Sequence, residues 1–445
     1  MAASPVTSAA ARRERIAAHG VVGAGGAGFP THVKLAGRAE TIILNGAECE
    51  PLLHKDKEIL REYPREVLAG LRIAAELVGA RDIAVGVKEK YADVIGKLTP
   101  LLPAGGRMVP LTDSYPSGDE FILVYDVTGK IIPPGGIPLH VGCVVINVET
   151  AYNIARDQPV TDTFLTVAGA VHDPVTVCVP VGITYAEALA LAGGATCEDP
   201  RVLNGGVMMG RLVALDEPIT KTCGGVIVLP AEHPVVTRYE RNWQHIARVG
   251  AGACDQCSFC TELCPRYLLG HPIEPHKAMR SLGFVEDREP TVIGTQFCCE
   301  CNLCTMIACP EDLDPKNVCT RNKRQLAADG QKWQVAAHPY RAELLLASRR
   351  APISRLVIKL GLRQFRNVGP LADRQYRPQR VTLPLKQHVG APAAPVVSSG
   401  ARVNKGDLLA RPAEGALGAA VHASIAGVCQ VLDDRVVIVS ESGEG

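Results

Sequence analysis

Two cysteine runs, each closed by Cys-Pro, constrain this chain more than any other feature. The first is Cys254-x2-Cys257-x2-Cys260-x3-Cys264-Pro265 and the second is Cys298-x2-Cys301-x2-Cys304-x4-Cys309-Pro310. Three thiolates spaced by two residues in a tight loop can converge on one face of a cubane cluster. The fourth, followed by proline, opens a helix that leads away. The spacing therefore predicts two [4Fe–4S] clusters. In the two-cluster ferredoxin arrangement the fourth cysteine of each run serves the other cluster. That assigns Cys254, Cys257, Cys260 and Cys309 to one cluster and Cys298, Cys301, Cys304 and Cys264 to the other. The extra residue before Cys309 implies a local bulge. Structural zinc is the plainer reading of clustered cysteines, but zinc sites take paired CxxC units rather than two triple runs. Nine of the sixteen cysteines fall between Cys254 and Cys309, which suits metal ligation in a reducing cytosol better than a disulfide framework. Cys299 breaks the spacing and reads as a bystander. Cys49, Cys143, Cys178, Cys197, Cys223, Cys319 and Cys429 read as small buried residues.

The rest of the chain must supply several domains, since 445 residues exceed one ordinary core and suggest roughly three to four. A formal charge of +1, with no basic run interleaved with aromatics, argues against a nucleic-acid partner. No stretch approaches the roughly 20 apolar residues of a membrane span. The charges in MAASPVTSAAARRERIAAHG leave no room for the apolar core of a secretory signal, so a cytoplasmic location is expected.

Residues 1–160 alternate between strand and helix patterns. TIILNGAE (41–48) reads as a buried strand, Pro64 starts a helix that Gly79 stops, and DIAVGVKEK (82–90) is the next strand. VGCVVINVET (141–150) is another buried strand with polar residues at its C-terminal end. The pattern predicts an α/β domain with a parallel sheet, whose ligands sit outside the carboxyl ends of the strands. Residues 161–232 read as a small β-rich module and 240–330 as short helices carrying the cysteines. Residues 331–380 read as a helical connector and 381–442 as a β-rich tail.

Gly23-x-Gly25-x-x-Gly28 formally matches a dinucleotide fingerprint, with Glu48 about 20 residues on. The context differs, because here the long strand follows the loop. On motif grounds a structural turn is as good a reading. Backbone N–H groups of such a loop could still cradle a phosphate, with Lys34 as countercharge.

Four segments taken together carry a resemblance: GAGGAGFPTHVKL, ILNGAECEP, YPSGDE and NVET. They closely resemble the flavin-binding domain shared by the 51-kDa NADH-oxidising subunit of respiratory complex I and the RnfC family of electron-transfer proteins. The resemblance implies non-covalent FMN and hydride transfer from NADH. By position it implies an FMN site built from Gly23, Gly25, Gly26, Gly28, Lys34, Asn45, Glu48, Tyr115, Gly118, Glu120, Asn147, Glu149 and Thr150, with Glu50 near the nicotinamide dinucleotide. For each polar residue alone, a capped turn is the bland alternative. The pattern departs from the complex I protein at Ala24, where that protein has Arg, and at Ala47, where it has Asp.

TFLTVAGAVHDPVTVCVPVGITYAEALALAGG resembles the β-grasp module called SLBB, and the tail resembles a lipoyl-type barrel-sandwich domain. Lys405 is the last lysine, so no lysine stands where a swinging arm would attach. The tail is expected to dock rather than carry. The order of flavin domain, SLBB, dicluster and barrel-sandwich is similar to that of the PduS-type corrinoid reductases of propanediol-utilisation microcompartments. That resemblance implies NADH-driven reduction of cob(III)alamin or cob(II)alamin to cob(I)alamin inside a microcompartment, with an adenosyltransferase and a shell protein as partners. None of the twelve histidines has Asp two residues before it. The D-x-H-x-x-G motif of firmly held corrinoid is thus absent, which makes the corrinoid a transient substrate. A non-enzymatic electron relay and a peripheral part of an Rnf-like membrane complex remain as other readings.

Overall fold

The computed structural model describes residues 8–284, 289–334 and 340–441; the outermost residues of the expected first and last domains lie outside this range. Strands Gly106–Leu111, Asp82–Lys88, Thr41–Gly46 and Cys143–Asn147 lie side by side in that order and are all parallel. Alternate residues of these strands feed two cores. Ile42, Leu44, Val85 and Ile146 face helices Pro64–Val78 and Val148–Arg156. Ile43, Ala84 and Val145 face Leu123 and Val124 of helix Glu120–Thr128. Burial on both faces explains why these strands read as unbroken apolar runs. Pro64 opens its helix and Gly79 closes it at φ 72°. Gly70 lets the two helices touch, since a Cβ there would lie 1.7 Å from the Ala151 carbonyl oxygen.

A five-stranded sheet follows, in the order Val175–Pro180, Asp162–Gly169, Gly225–Pro230, Pro200–Asn204 and Arg211–Val213. Only the pair Asp162–Gly169 with Gly225–Pro230 is parallel. Helix Tyr185–Leu191 starts in a capping box formed by Thr184 and Glu187. The cysteine region consists of short helices, ending in Pro315–Ala328.

The tail forms two small sheets, one of strands Arg380–Pro384, Arg435–Val439, Gly427–Val431 and Arg402–Val403, the other of Ala394–Pro395, Leu408–Arg411 and Val421–His422. Its Val381, Leu409 and Ile438 share one core with Leu165 and Val177 of the five-stranded sheet. Lys405 is half exposed and pairs with Asp162 at 2.8 Å.

The connector differs from expectation. Among its described residues it holds one seven-residue helix, Ile353–Lys359, and a single 3-10 turn. Its other described residues form a strap. Ala351–Pro352 pairs with Ser114–Tyr115, and Leu371 bridges to Thr176. Pro352, Pro370 and Pro378 interrupt the stretch, and a proline removes a helical donor and clashes with the preceding turn.

Candidate flavin and iron–sulfur sites

The glycine loop is a turn, not a strand-to-helix crossover. Val22 bridges Pro30, and the Gly23 N–H donates to the Phe29 carbonyl at 2.9 Å. The loop lies at the carboxyl edge of the parallel sheet. There the Ala24 N–H donates to Thr150 Oγ1 at 2.9 Å, and a Cβ added at Gly25 would lie 3.6 Å from Asn147 Cβ. Gly25, Gly26 and Ala27 are exposed, and no acceptor among the described residues takes their N–H groups. Gly26 has φ 108° and open space where a Cβ would point. Free amides in an exposed glycine turn form an anion cradle, so the loop fits a phosphate. Gly28 is different. A Cβ there would lie 2.8 Å from Thr222 Cγ2 and 3.0 Å from His388 Cα, so this glycine serves the packing of the loop on its neighbours.

The other expected residues are held by partners of their own. Asn45 Nδ2 donates to the Gly118 carbonyl at 2.8 Å, joining the strand end to the YPSGDE loop. Lys34 does not stand free as a countercharge; its ammonium holds Glu120 at 2.7 Å and the Val145 carbonyl at 3.0 Å. Asn147 caps helix Val148–Arg156, and its Nδ2 donates to Asp56 at 2.8 Å. Glu149 is fully enclosed, accepting from Lys55 at 2.9 Å and from the Phe164 N–H at 3.0 Å. Glu48 accepts from the Asp56 and Lys57 amides at 2.7 and 3.3 Å, at the start of helix Lys55–Glu62. Burial raises its carboxyl pKa despite nearby Lys57. Tyr115 is buried, and its hydroxyl donates to the Cys301 carbonyl at 2.8 Å. Glu50 reaches the β-rich module, accepting from the Met208 and Met209 amides at 3.0 and 2.8 Å. Burial pushes its carboxyl up to about 7 against the pull of those amides.

Sequence reasoning missed Lys55 and Asp56. Both are buried beside the glycine loop, where the Lys55 ammonium donates to the Ala24 carbonyl at 2.8 Å. Burial opposes its charge, but Glu149 and Asp56 outweigh that and keep the ammonium protonated. Asp56 is pushed up to about 7 by burial, which Lys55 opposes and Glu48 reinforces; its Oδ1 has no hydrogen-bond partner. Oδ1 lies 3.8 Å from the Lys55 ammonium, so it faces a charge but takes no hydrogen bond, and beside an open loop such an acceptor is a place for a ligand N–H. The signal available was the run HKDKE directly after NGAECEP, which reads as a solvated helix start.

Cys254, Cys257, Cys260 and Cys309 line one recess. Cys264, Cys298, Cys301 and Cys304 form a second neighbourhood, in which each of the buried thiols Cys264, Cys301 and Cys304 lies within electrostatic range of others in that set. Cys299 lies against Cys301 and Cys319 against Cys298, so the expected bystander Cys299 and the buried Cys319 both stand in the wall of the second set. Among the described residues, no three or more His, Cys, Asp or Glu side chains are gathered tightly enough to hold a single metal ion.

Four family models match the chain in succession. They are the Nuo51 FMN-binding domain over residues 16–156, the SLBB domain over 164–212, the 4Fe-4S dicluster domain over 253–314 and the RnfC barrel sandwich hybrid domain over 370–443. The cobalamin reductase PduS of Salmonella typhimurium is 43% identical over 433 residues, 96% of either chain. That of Citrobacter freundii is 42% identical over the same shares. A component of the Na(+)-translocating ferredoxin:NAD(+) oxidoreductase complex of Acetobacterium woodii is 33% identical over 261 residues, 56% of each chain. Full-length identity at this level, with the four domains in one order, shows that the chain belongs to the PduS family of cobalamin reductases.

Proposed function

We propose that this chain oxidises NADH at an FMN held by the glycine loop and delivers the electrons, through two [4Fe–4S] clusters, to cob(III)alamin or cob(II)alamin, giving cob(I)alamin. The observation that carries the reading is the free N–H set of Gly25, Gly26 and Ala27 at the sheet edge, with the Tyr115 to Cys301 hydrogen bond joining that edge to the cysteines. Hydride transfer moves two electrons while clusters and cobalt take one, and a bound flavin supplies the conversion between them. The loop amides would hold the phosphate. Asp56 Oδ1 remains to accept a ligand N–H, and Lys55 offsets the phosphate charge without leaving Glu149. Asn45, Gly118 and Asn147 fix the width of the site through the bonds already described. Glu50, on the SLBB side of the loop, is the candidate for nicotinamide contact. Cys254, Cys257, Cys260 and Cys309 would ligate one cluster and Cys264, Cys298, Cys301 and Cys304 the other.

The functional division proposed is 1–160 for flavin and NADH, 161–232 for the SLBB module, 240–330 for the clusters, 331–380 as strap and 381–442 as docking tail. No helix among the described residues is long and apolar enough to cross a membrane. Membership of the family supports a corrinoid as transient substrate, an adenosyltransferase as the next protein to receive it, and residence within a microcompartment shell. Anaerobic NADH oxidation against a panel of acceptors that includes both cobalamin states tests the reading. Reduction of simple dyes alone, with neither cobalamin accepted, refutes the substrate.

A further inference from the structure

The two cysteine sets do not approach the flavin-type domain equally. Tyr115 Oη reaches the Cys301 carbonyl at 2.8 Å. Asn302 Nδ2 donates to the Met208 carbonyl at 3.1 Å, and the Met208 N–H in turn donates to Glu50 at 3.0 Å. Arg266, two residues beyond Cys264, binds both oxygens of Asp119 at 2.5 and 2.9 Å and lies 3.8 Å over the Phe121 ring. All three links end at the set Cys264, Cys298, Cys301 and Cys304. Among the described residues, the recess of the other set is walled only by residues between Cys254 and Pro315. Asp255 in its wall is exposed, and Phe259, between the lining residues Ser258 and Cys260 in the chain, is 49% exposed. Between the sets, Cys260 packs with Cys304 and Ala308 in one small apolar cluster.

We infer that Cys264, Cys298, Cys301 and Cys304 hold the cluster that receives electrons from the flavin site, and that Cys254, Cys257, Cys260 and Cys309 hold the cluster that hands them to the acceptor at the Phe259 face. The inference rests on the flavin reading above. Oxidation of one NADH to NAD+ releases one proton to solvent and two electrons. Each electron passes singly through both sets, reducing and then reoxidising each cluster, so two one-electron acceptors are reduced per NADH. Packed side chains and the hydrogen bond from the Tyr115 hydroxyl to the Cys301 carbonyl shorten the first passage, and the Cys260 to Cys304 contact shortens the second.

The experiment uses the full chain, reconstituted anaerobically, in two variants: Cys257→Ala, which removes a ligand of the outer set, and Cys301→Ala, which removes one of the inner set. Each variant should keep FMN and about four irons. Low-temperature EPR follows each surviving cluster in whichever direction runs downhill, NADH into oxidised protein or NAD+ into dithionite-reduced protein. In Cys257→Ala the surviving cluster should exchange electrons with the nicotinamide at the parent rate. In Cys301→Ala it should be lost to the nicotinamide while dithionite still reduces it. Exchange at the parent rate in Cys301→Ala overturns the order. If Cys301→Ala fails to fold, rapid-freeze EPR of the parent decides. The signal that survives in Cys257→Ala must change first, and the reverse order overturns the inference. A flavin-replete parent whose clusters exchange with neither NADH nor NAD+ overturns the flavin reading as well, so the two failures are distinct.

Discussion

Gly25 and Gly28 stand three residues apart in one loop, yet a side chain at each meets a different fate. At Gly28 it collides with Thr222 and the His388 backbone and needs φ 69°; at Gly25 its nearest neighbour is Asn147 Cβ at 3.6 Å, an ordinary contact. Gly25→Val is therefore the clean probe. It should fold with its clusters intact and lose FMN, measured as flavin released on denaturation, from about one per chain to near zero. Full flavin retention would move the site elsewhere. Glu50 offers a test by pH. Its carboxyl rises from the ordinary 4.5 to about 7 because burial disfavours the charge. The folded state thus binds more protons than the unfolded state between those values, and its stability falls as pH rises through that window. Glu50→Gln should raise the unfolding free energy more at pH 8 than at pH 5, by a difference on the order of 1–3 kcal/mol, read from denaturant unfolding at the two pH values. An equal shift at both pH values contradicts the assignment. The sequence made the glycines and Glu50 visible as motif positions. It hid Lys55 and Asp56, because a charged helix start ordinarily faces water and only the folded chain turns this one inward.

Among the elements, the YPSGDE loop joins the parallel sheet, its own helix and the cysteine region. Asp119 caps helix Glu120–Thr128 through the Phe121 and Ile122 amides and also grips Arg266 beside Cys264. Removing one partner from a buried ion pair strands the other charge, at a cost of about 3–5 kcal/mol. Arg266→Met should accordingly lower the thermal midpoint and loosen the inner cluster, read as iron lost on mild chelation. The outer cluster should be spared. Unchanged stability and chelation would mean that the pair is incidental. The strands and helix Pro64–Val78 were legible because burial on both faces or on one stripe writes a period into the chain. The strap was not legible, since its residues are held by strand pairing with distant partners rather than by any period of their own. The Tyr115 to Cys301 bond spans 186 residues, and no local pattern announces such a contact.

For the whole molecule, one layout makes the chemistry sequential. A parallel sheet presents the open loop, the cysteine sets lie beyond Tyr115 and Asp119, and the barrel-sandwich tail packs its core against the five-stranded sheet. Lys221 reinforces that docking from a buried position, with its ammonium on the Gly20 and Ala420 carbonyls at 3.0 and 2.7 Å. The domain order was readable from resemblance and the grouping of the eight cysteines into two sets from spacing; the unequal approach of the two sets to the loop was not. The central claim is that electrons from NADH reach the corrinoid only by way of the flavin loop. The direct measurement mixes NADH with cob(II)alamin anaerobically in the presence of either the parent chain or Gly25→Val, and follows cob(I)alamin by its absorbance. The parent should form cob(I)alamin. Gly25→Val, with clusters that dithionite still reduces, should form none. Cob(I)alamin at the parent rate from the flavin-free variant, or none from a parent replete in flavin and iron, would contradict the account.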